Sequence, residues 1–404
     1  MSEWKKTSIG NLCTIKHGFA YKGEYITNEE CSNVLVTPGN FTLSGGFKMM
    51  DKPKYYRGPI EKEYILKEGD LIVTMTDLSK GIDTLGYSAL VPKIHGITFH
   101  HNQRIGLIEN ISEEVDKGFL YWTMRTRPYQ RFVANSSSGT TVHHTSPNNI
   151  ARYSFLLPPL AEQKSIASFL SSLDDKIAIN RRICENLEAQ AQALFKHWFI
   201  DFAPFKNGKF VESELGMIPE GWRVGTLGDI AVITMGQSPA GSSYNEKGEG
   251  VIFYQGRTEF GFRYPSVRLY TTEPKRFAEP LSTLLSVRAP VGDINVATER
   301  CCIGRGLASI KSNNNCHSYI FYLLQSMKRR FDVYNGEGTV FGSINKDTLN
   351  GLKIIIPSNS ILLEFEEIIE EMDKKILGCH QEKLRLSTLR DTLLPKLMSG
   401  QIKV

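Results

Sequence analysis

The sequence has 404 residues, of which 41% are hydrophobic and 23% charged, and its net charge is +5. This composition is typical of a folded protein of two or three domains and argues against a disordered chain. No apolar run approaches about 18 residues, and the segment MSEWKKTSIG lacks the apolar core of a secretory signal, so we expect neither a membrane span nor export.

Seven cysteines occur without a regular spacing, which indicates thiols in a reducing cytoplasm rather than a disulfide framework. The isoelectric point is near 8.6. Such a mild basic excess permits nucleic-acid binding but does not demonstrate it.

The first half reads as a mixed α/β globule over residues 1–157. Short β-rich runs bounded by turn residues predict its strands, and an amphipathic pattern predicts one helix, which Pro128 is expected to shorten or bend. In chain order the predicted elements are strands at 34–36 and 70–74, the helix at 118–132, a polar glycine loop at 136–142 and a strand at 153–157.

Residues 158–203 predict one long helix. The segment opens with Pro158-Pro159, which suits the first turn of a helix, and contains no further proline before Pro204. Its seam positions recur in alternating steps of four and three, a heptad pattern that requires a partner helix. These positions are Ile166, Leu170, Leu173, Ile177, Asn180, Cys184, Leu187, Ala191, Leu194 and Trp198.

The second half repeats the first. A polar linker over residues 204–220 leads into a second globule at 221–357, and a second heptad helix occupies 358–404. Pro357 follows Pro158 by 199 residues, the same offset that separates Phe365 from Ile166. The second seam comprises Phe365, Ile369, Met372, Ile376, Cys379, Lys383, Leu386, Arg390, Leu393 and Leu397.

These repeats indicate a duplicated α+β protein, although two unrelated amphipathic helices could share a heptad by chance. The flanking sequence repeats as well, which favours duplication. We therefore predict two mixed α/β globules in tandem, separated by two long helices that form an antiparallel coiled coil.

No catalytic signature stands out in the sequence. A phosphate-binding loop, a dinucleotide-binding glycine fingerprint, the Asn/Asp-Pro-Pro-aromatic stretch of an amino-methyltransferase and an HExxH motif are all missing. Cys301-Cys302 with Cys316-His317 is the best metal candidate, but ordinary buried thiols are the better interpretation. We interpret the pairs His100-His101 and His143-His144 as exposed loop residues, and Asp174-Asp175 as a solvated or partner-facing edge of the helix.

Polar side chains recur instead in the glycine-containing loops of both halves. Arg can form two hydrogen bonds with guanine, and Asn and Gln can do so with adenine, whereas Lys, Ser and Thr can bind phosphates. These residue types therefore suit contact with DNA. A single residue of this kind is more often a phosphate-positioning group than a base reader. The candidate residues are Asn40, Gln103, Arg104, Thr140, Thr141, His143, His144, Arg257, Arg263, Arg288, Arg305, Thr339, Ser343 and Lys346.

Four motifs resemble those of a known family. They are Leu157-Pro158-Pro159-Leu160-Ala161-Glu162-Gln163, Phe195-Lys196-His197-Trp198-Phe199-Ile200-Asp201-Phe202, Ile218-Pro219-Glu220-Gly221-Trp222 and Leu394-Pro395-Lys396-Leu397-Met398-Ser399-Gly400. In combination they make the chain similar to the DNA-specificity subunits of type I restriction–modification systems. The second helix departs from the opening motif, since Ser358 to Leu363 replace Pro-Leu-Ala-Glu-Gln.

The resemblance implies a non-catalytic, cytoplasmic, sequence-specific DNA-binding subunit. Each globule would be a target-recognition domain for one half of a bipartite, asymmetric site in double-stranded DNA, and the coiled coil would set the gap between the halves. Two modification subunits would supply adenine-N6 methylation, and two restriction subunits would add translocation and cleavage. The chain itself would hold no cofactor or metal, with S-adenosylmethionine in the modification subunit and ATP and Mg in the restriction subunit.

The resemblance also points to a docking surface on the helices. The residues we assign to subunit contacts are Glu162, Gln163, Phe195, Trp198, Phe199, Leu394 and Leu397. The polar seam residues Asn180, Lys383 and Arg390 either set the register of the helix pair or face a modification subunit. The competing hypothesis is a tandem scaffold that holds two protein or carbohydrate partners at a fixed distance.

Overall fold

The computed structural model of the protein describes residues 4–79, 81–335 and 342–404. The chain forms two compact units, the first comprising Met1–Asn180 with Glu382–Val404 and the second Arg181–Gln381. Each unit therefore contains one predicted globule together with a segment of both long helices. The boundary lies within the helices rather than at the predicted linker, because each helix segment packs into the core of its own globule.

In the first unit, two four-stranded sheets form the globule. The first sheet is antiparallel, with the strand order Thr14–His17, Ile105–Glu109, Leu71–Thr74, Ser88–Leu90. The second has the order Ile26–Thr27, Tyr55–Tyr56, Asn33–Val36, Thr98–His101, and its last two strands are parallel. Two strand pairs complete the unit: Lys5–Ser8 with Ser154–Leu157, and Thr76–Asp77 with His143–His144.

The second unit repeats this topology, which confirms the predicted duplication. Its antiparallel sheet has the order Ala231–Met235, Leu307–Ser312, Thr283–Ser286, Ile294–Val296. Its other sheet has the order Tyr244–Asn245, Leu269–Thr271, Val251–Tyr254, Cys301–Ile303, Phe277–Ala278, and again contains one parallel pair. Arg223–Thr226 pairs with Lys353–Ile356, as the first and last strands of the first globule do.

Short helices connect the strands. The predicted helix at 118–132 is split in two, because Thr126 caps a new helix whose first turn contains Pro128. The α-helices of the globules are Lys117–Thr123, Arg127–Asn135, Pro147–Ala151, Leu227–Ile230, His317–Ser326, Lys328–Asp332 and Lys346–Asn350. The 3-10 helices are Ile9–Asn11, Gly23–Tyr25, Pro38–Asn40, Lys62–Tyr64, Ala203–Phe205, Gly241–Ser243 and Arg257–Glu259.

Both long helices form. The central helix is Leu160–Phe195, which a π-turn extends over Lys196–Ile200, and the C-terminal helix is Asn359–Met398. They pack antiparallel within each unit. In the first unit Asn180 Nδ2 donates to Glu382 Oε2 at 2.8 Å, and in the second the Cys184 thiol donates to the Ile376 carbonyl at 3.6 Å. The contact of the buried Asn180 with Glu382 supports a register-setting role for this polar seam residue.

The predicted linker at 204–220 is not an open connection. It contains a β-hairpin of Phe210–Ser213 and Gly216–Pro219. Trp222 then packs against Phe199, Phe202 and Phe205, with ring centroids 5.9, 5.6 and 5.1 Å away. This aromatic contact incorporates the segment into the second unit.

Buried ion pairs join the second globule to both helices. The Arg263 guanidinium, only 3% exposed, donates to Glu188 of the central helix at 2.6 Å and to Asp373 of the C-terminal helix at 2.8 Å. Tyr322 Oη accepts a third bond at 2.7 Å. Burial alone would lower the pKa of Arg263, but Asp373 and Glu188 raise it above its ordinary value, so the guanidinium stays charged.

The first unit contains a related network with different charges. Arg125 donates to Asp174 of the central helix at 2.6 Å, and Arg390 of the C-terminal helix donates to the other oxygen of Asp174 at 2.5 Å. Asp174 and Asp373 are separated by the repeat offset of 199 residues. Asp174 is therefore an internal anchor for its globule, not the solvated or partner-facing edge that the sequence indicates.

We expect Arg263→Met to destabilise the chain by about 3–5 kcal/mol, because it leaves the buried Glu188 and the partly buried Asp373 without their arginine. Arg181→Met is the matched control, since Arg181 pairs with Glu185 on the surface of the same unit, and its loss is expected to cost less than about 1 kcal/mol. Urea unfolding of the full chain, followed by tryptophan fluorescence, measures both. Equal losses in the two variants would contradict the anchoring role of Arg263.

Candidate nucleic-acid interface

The two parallel strands of the first unit end at the same edge of their sheet, and each is followed there by a loop that contains candidate residues. Val36 lies opposite His101, so Asn33–Val36 and Thr98–His101 end side by side. The 3-10 helix Pro38–Asn40 follows the first strand, and the turn at 102–104 follows the second.

A third segment joins this edge. The Met75 amide donates to the Arg104 carbonyl at 2.9 Å, and the strand Thr76–Asp77 that follows pairs with His143–His144. A groove of about 600 Å³ is lined by residues of the 3-10 helix segment, by the turn at 102–104, by Leu78 after the third segment and by Lys54. The strand His143–His144 does not line it. We call residues 37–40, 76–78, 102–104 and 143–144 the first loop cluster.

The second unit builds a matching cluster, in which Val287 and Gly306 correspond to Met75 and Arg104. The Gly304 amide donates to the Tyr254 carbonyl at 2.8 Å, and the Val287 amide donates to the Gly306 carbonyl at 2.9 Å. Arg288 forms an antiparallel bridge with Ser343, as Thr76 does with His144. We call residues 255–257, 287–290, 304–306 and 342–344 the second loop cluster.

A glycine in each unit allows a strand end to touch the turn. A Cβ on Gly18 would lie 2.1 Å from the Asn102 carbonyl oxygen, and one on Gly236 would lie 2.1 Å from that of Gly304. These matched contacts make Gln103 and Arg305 equivalent, since each follows the contacted carbonyl. The same backbone arrangement thus exposes the Gln103 amide in the first unit and the Arg305 guanidinium in the second.

Most of the candidate DNA-contacting residues are accessible. Arg257 pairs with Asp293, which also accepts from Lys328 at 3.3 Å. The exposed candidates are Gln103, Arg104, Thr140, Thr141, His144, Arg257, Arg288, Arg305, Ser343 and Lys346, with His143 partly exposed.

Two candidates are buried and belong to the fold. Asn40 is 1% exposed; its side-chain oxygen accepts the Thr37 amide at 2.9 Å, and its nitrogen donates to the Lys48 carbonyl at 3.2 Å. Arg263 is the anchor described above. We therefore leave both out of the DNA surface, while Thr339 lies outside the described residues.

The family-model comparison identifies the chain. The model described as "Type I restriction modification DNA specificity domain" matches residues 1–189 and 219–387. The chain belongs to the family of type I restriction–modification specificity subunits. It is accordingly a protein of DNA sequence recognition, in a family whose members are generally non-catalytic.

Individual relatives agree. The chain is 35% identical over 310 residues to the "Putative type I restriction enzyme MjaX specificity subunit" of Methanocaldococcus jannaschii, covering 75% of this chain and 72% of the relative. It is 30% identical over 304 residues to the type I restriction enzyme MjaIX specificity subunit of the same organism, covering 71% and 69%. The crystal structure of a type I restriction–modification S subunit from M. genitalium matches with a TM-score of 0.60 at 19% identity, over 98% of this chain and 96% of that one, which supports the fold.

The first histidine pair of this specificity subunit is not exposed. His100 and His101 lie in the buried strand Thr98–His101, where His100 Nε2 bonds Asn33 Oδ1 at 3.0 Å and His101 Nε2 bonds the Ile105 carbonyl at 2.8 Å. Burial lowers the pKa of His101 to about 4, so the ring is neutral and structural. The expectation of an exposed loop was wrong here, because the strand packs its side chains into the globule.

The described residues contain no group of three or more His, Cys, Asp or Glu able to hold a metal ion. Cys301 and Cys302 are buried in a strand, and burial raises the pKa of the Cys301 thiol to about 12. In the part of the chain that the structure covers, no helix is both long and apolar enough to cross a membrane.

Most of the predicted subunit-contact residues lie inside the units. Gln163 is buried, accepts the Asp116 amide at 2.8 Å and donates to the Glu114 and Pro158 carbonyls at 2.9 and 2.8 Å, so it fixes the start of the central helix. Phe195, Phe199, Leu394 and Leu397 are also buried in the cores, whereas Glu162 and Trp198 are partly exposed. Seam and motif residues face inward because they hold the helices to the globules.

Sequence reasoning missed the outward-facing apolar residues of the same helices. An apolar side chain outside the heptad seam is the signal that would have found them. They are Leu160, Ile179, Leu384 and Leu389 in the first unit, and Ile200, Leu363 and Ile368 in the second.

We expect Gly236→Ala to weaken DNA binding and to cost about 1–3 kcal/mol of stability, because a Cβ 2.1 Å from the Gly304 carbonyl oxygen forces the backbone to shift. Gly241→Ala is the control, since a Cβ there meets nothing within 4 Å. Fluorescence anisotropy with a labelled duplex and the midpoint of urea unfolding test both variants. The close approach has no role in DNA binding if the two variants bind DNA equally well.

Proposed function

We propose that this chain reads a bipartite, asymmetric DNA target, with the first unit binding one half-site and the second unit the other. The observation that carries this proposal is the duplicated loop cluster, in which one backbone arrangement presents different side chains. Gln103 in the first unit corresponds to Arg305 in the second, and the exposed Arg288 of the second unit takes the place of the buried Thr76. Two such surfaces select two different sequences.

The side chains indicate the kind of contact each cluster makes. An arginine forks to the O6 and N7 atoms of guanine, whereas a glutamine pairs with the N6 and N7 edge of adenine. The second cluster presents Arg257, Arg288 and Arg305, so we expect its half-site to be richer in guanine than that of the first. Phosphate contacts supply much of the affinity, which should fall steeply with salt.

In this proposal the chain is a non-catalytic, cytoplasmic member of a larger complex. It holds no cofactor; two modification subunits contribute S-adenosylmethionine and adenine-N6 methylation, and two restriction subunits contribute ATP- and Mg-dependent cleavage. The exposed apolar residues of the helices, among them Leu384 and Leu389, support docking of modification subunits there, because such side chains gain from being covered by a partner. The restriction subunits would join through the modification subunits.

Methylome sequencing tests the proposal. We expect cells that express this chain with its modification subunit to carry N6-methyladenine in a two-part motif with a fixed gap, and cells with the modification subunit alone to lack it. A stable complex with no motif in either cell would argue against DNA specificity by this chain. If no complex formed, the scaffold hypothesis would gain support instead.

Exchanging residues 1–157 for those of a relative should change one half-site and leave the other intact. The donor globule should carry an arginine equivalent to Arg125, so that Asp174 of the recipient helix remains paired. The same sequencing gives the answer, with an exchange of residues 221–357 as the reciprocal case. A change in both halves would contradict independent recognition.

The two long helices should set the number of base pairs between the two half-sites. Because they pack antiparallel within each unit, seven residues must be added to both, after Asn180 and after Gln381, to keep the existing pairs in register. The insertion adds about 10 Å, or roughly three base pairs of DNA, which also turn the second half-site by about 100°. We expect a longer gap and slower methylation, whereas an unchanged gap would refute this role.

A further inference from the structure

Leu78 is an exposed aliphatic side chain within the first loop cluster. Its residue surface is 60% exposed, although most large apolar residues of this globule are buried. Leu78 lines the same groove as Gln103, Arg104 and Lys54. An apolar group therefore lies among amide and cationic groups on the surface that we assign to DNA.

Its exposed position is fixed by the chain on both sides. On the preceding side, Thr76–Asp77 is paired with His143–His144. On the following side, the buried Asp77 carboxylate accepts the amides of Ser79 at 2.6 Å, Thr84 at 2.6 Å and Leu85 at 3.0 Å. The backbone is thus hydrogen-bonded immediately before and after Leu78, while the Leu78 side chain is exposed.

The matched segment of the second unit lacks this feature. Its matched segment runs Arg288-Ala289-Pro290, because Arg288 bridges Ser343 as Thr76 bridges His144. Pro290 occupies the place of Leu78. The large apolar side chain is thus specific to the cluster that also carries Gln103 and not to the fold in general.

DNA offers one apolar group in the major groove, the C5-methyl of thymine. The adenine paired with that thymine presents, on the same groove edge, the N6 and N7 atoms that a glutamine binds. Resting on the proposed function, we infer that Leu78 contacts a thymine methyl in the half-site of the first unit, beside an adenine bound by Gln103. Leu78 is then a specificity-determining residue for that half-site.

The test uses the complex of the full chain with its modification subunit and the target found by methylome sequencing. The residue 1–157 exchange identifies the half-site of the first unit. Duplexes with each of its thymines replaced by deoxyuridine, which lacks only the methyl group, are then compared in binding. We expect one replacement to weaken binding about fourfold, the factor for burying one methyl-sized group. Leu78→Ala should bind the thymine and deoxyuridine duplexes equally.

Leu43→Ala is the matched control, because Leu43 is a 70% exposed leucine of the same unit that does not line the groove. It should keep the full preference for thymine, and thermal unfolding should show all three proteins equally folded. The inference is overturned if no thymine in that half-site discriminates, if Leu78→Ala retains the preference, or if Leu78→Ala weakens binding to both duplexes alike, as a wedge between base steps would. The absence of any two-part motif would instead overturn the proposed function, and this inference with it.

Discussion

A buried arginine that pairs with acidic groups on the long helices holds each globule in place. Removing two or three charges from water is costly, and an apolar contact of similar volume would often be as stable. The ion pairs add orientational specificity, because a guanidinium hydrogen-bonds carboxylates only in a narrow range of orientations. Each globule is therefore fixed in angle as well as in position on its helix segments.

The two networks are not equivalent in charge. The first joins two arginines to one aspartate, whereas the second joins one arginine to a glutamate and an aspartate. Each globule contributes one arginine, so the difference lies in the helix segments, which carry Asp174 and Arg390 in the first unit and Glu188 and Asp373 in the second. Duplication has thus been followed by divergence of the charges on the helix segments.

The two loop clusters depend on the strand topology behind them. Parallel neighbours end at a common edge, so segments distant in sequence meet there, and backbone hydrogen bonds fix their spacing without using their side chains. Gly18 and Gly236 make this possible by allowing a strand to approach a carbonyl more closely than any Cβ permits. The side chains of the loops are then free to differ, as Gln103 and Arg305 do. In the proposed function, recognition can therefore change while the scaffold stays the same.

Much of this protein is determined by the sequence alone: the duplication, the two heptad helices, the two mixed globules and the family. These are periodic or repeated patterns, which depend on residue spacing along the chain. The tertiary structure decided which polar residues are accessible. Asn40, His100 and Arg263 resemble surface groups in sequence, yet packing places them inside, while it leaves Leu78 outside. It also placed the unit boundary within the helices, because a helix segment belongs to the globule whose core it completes. Burial is set by neighbours that are remote in sequence, and no local pattern records them.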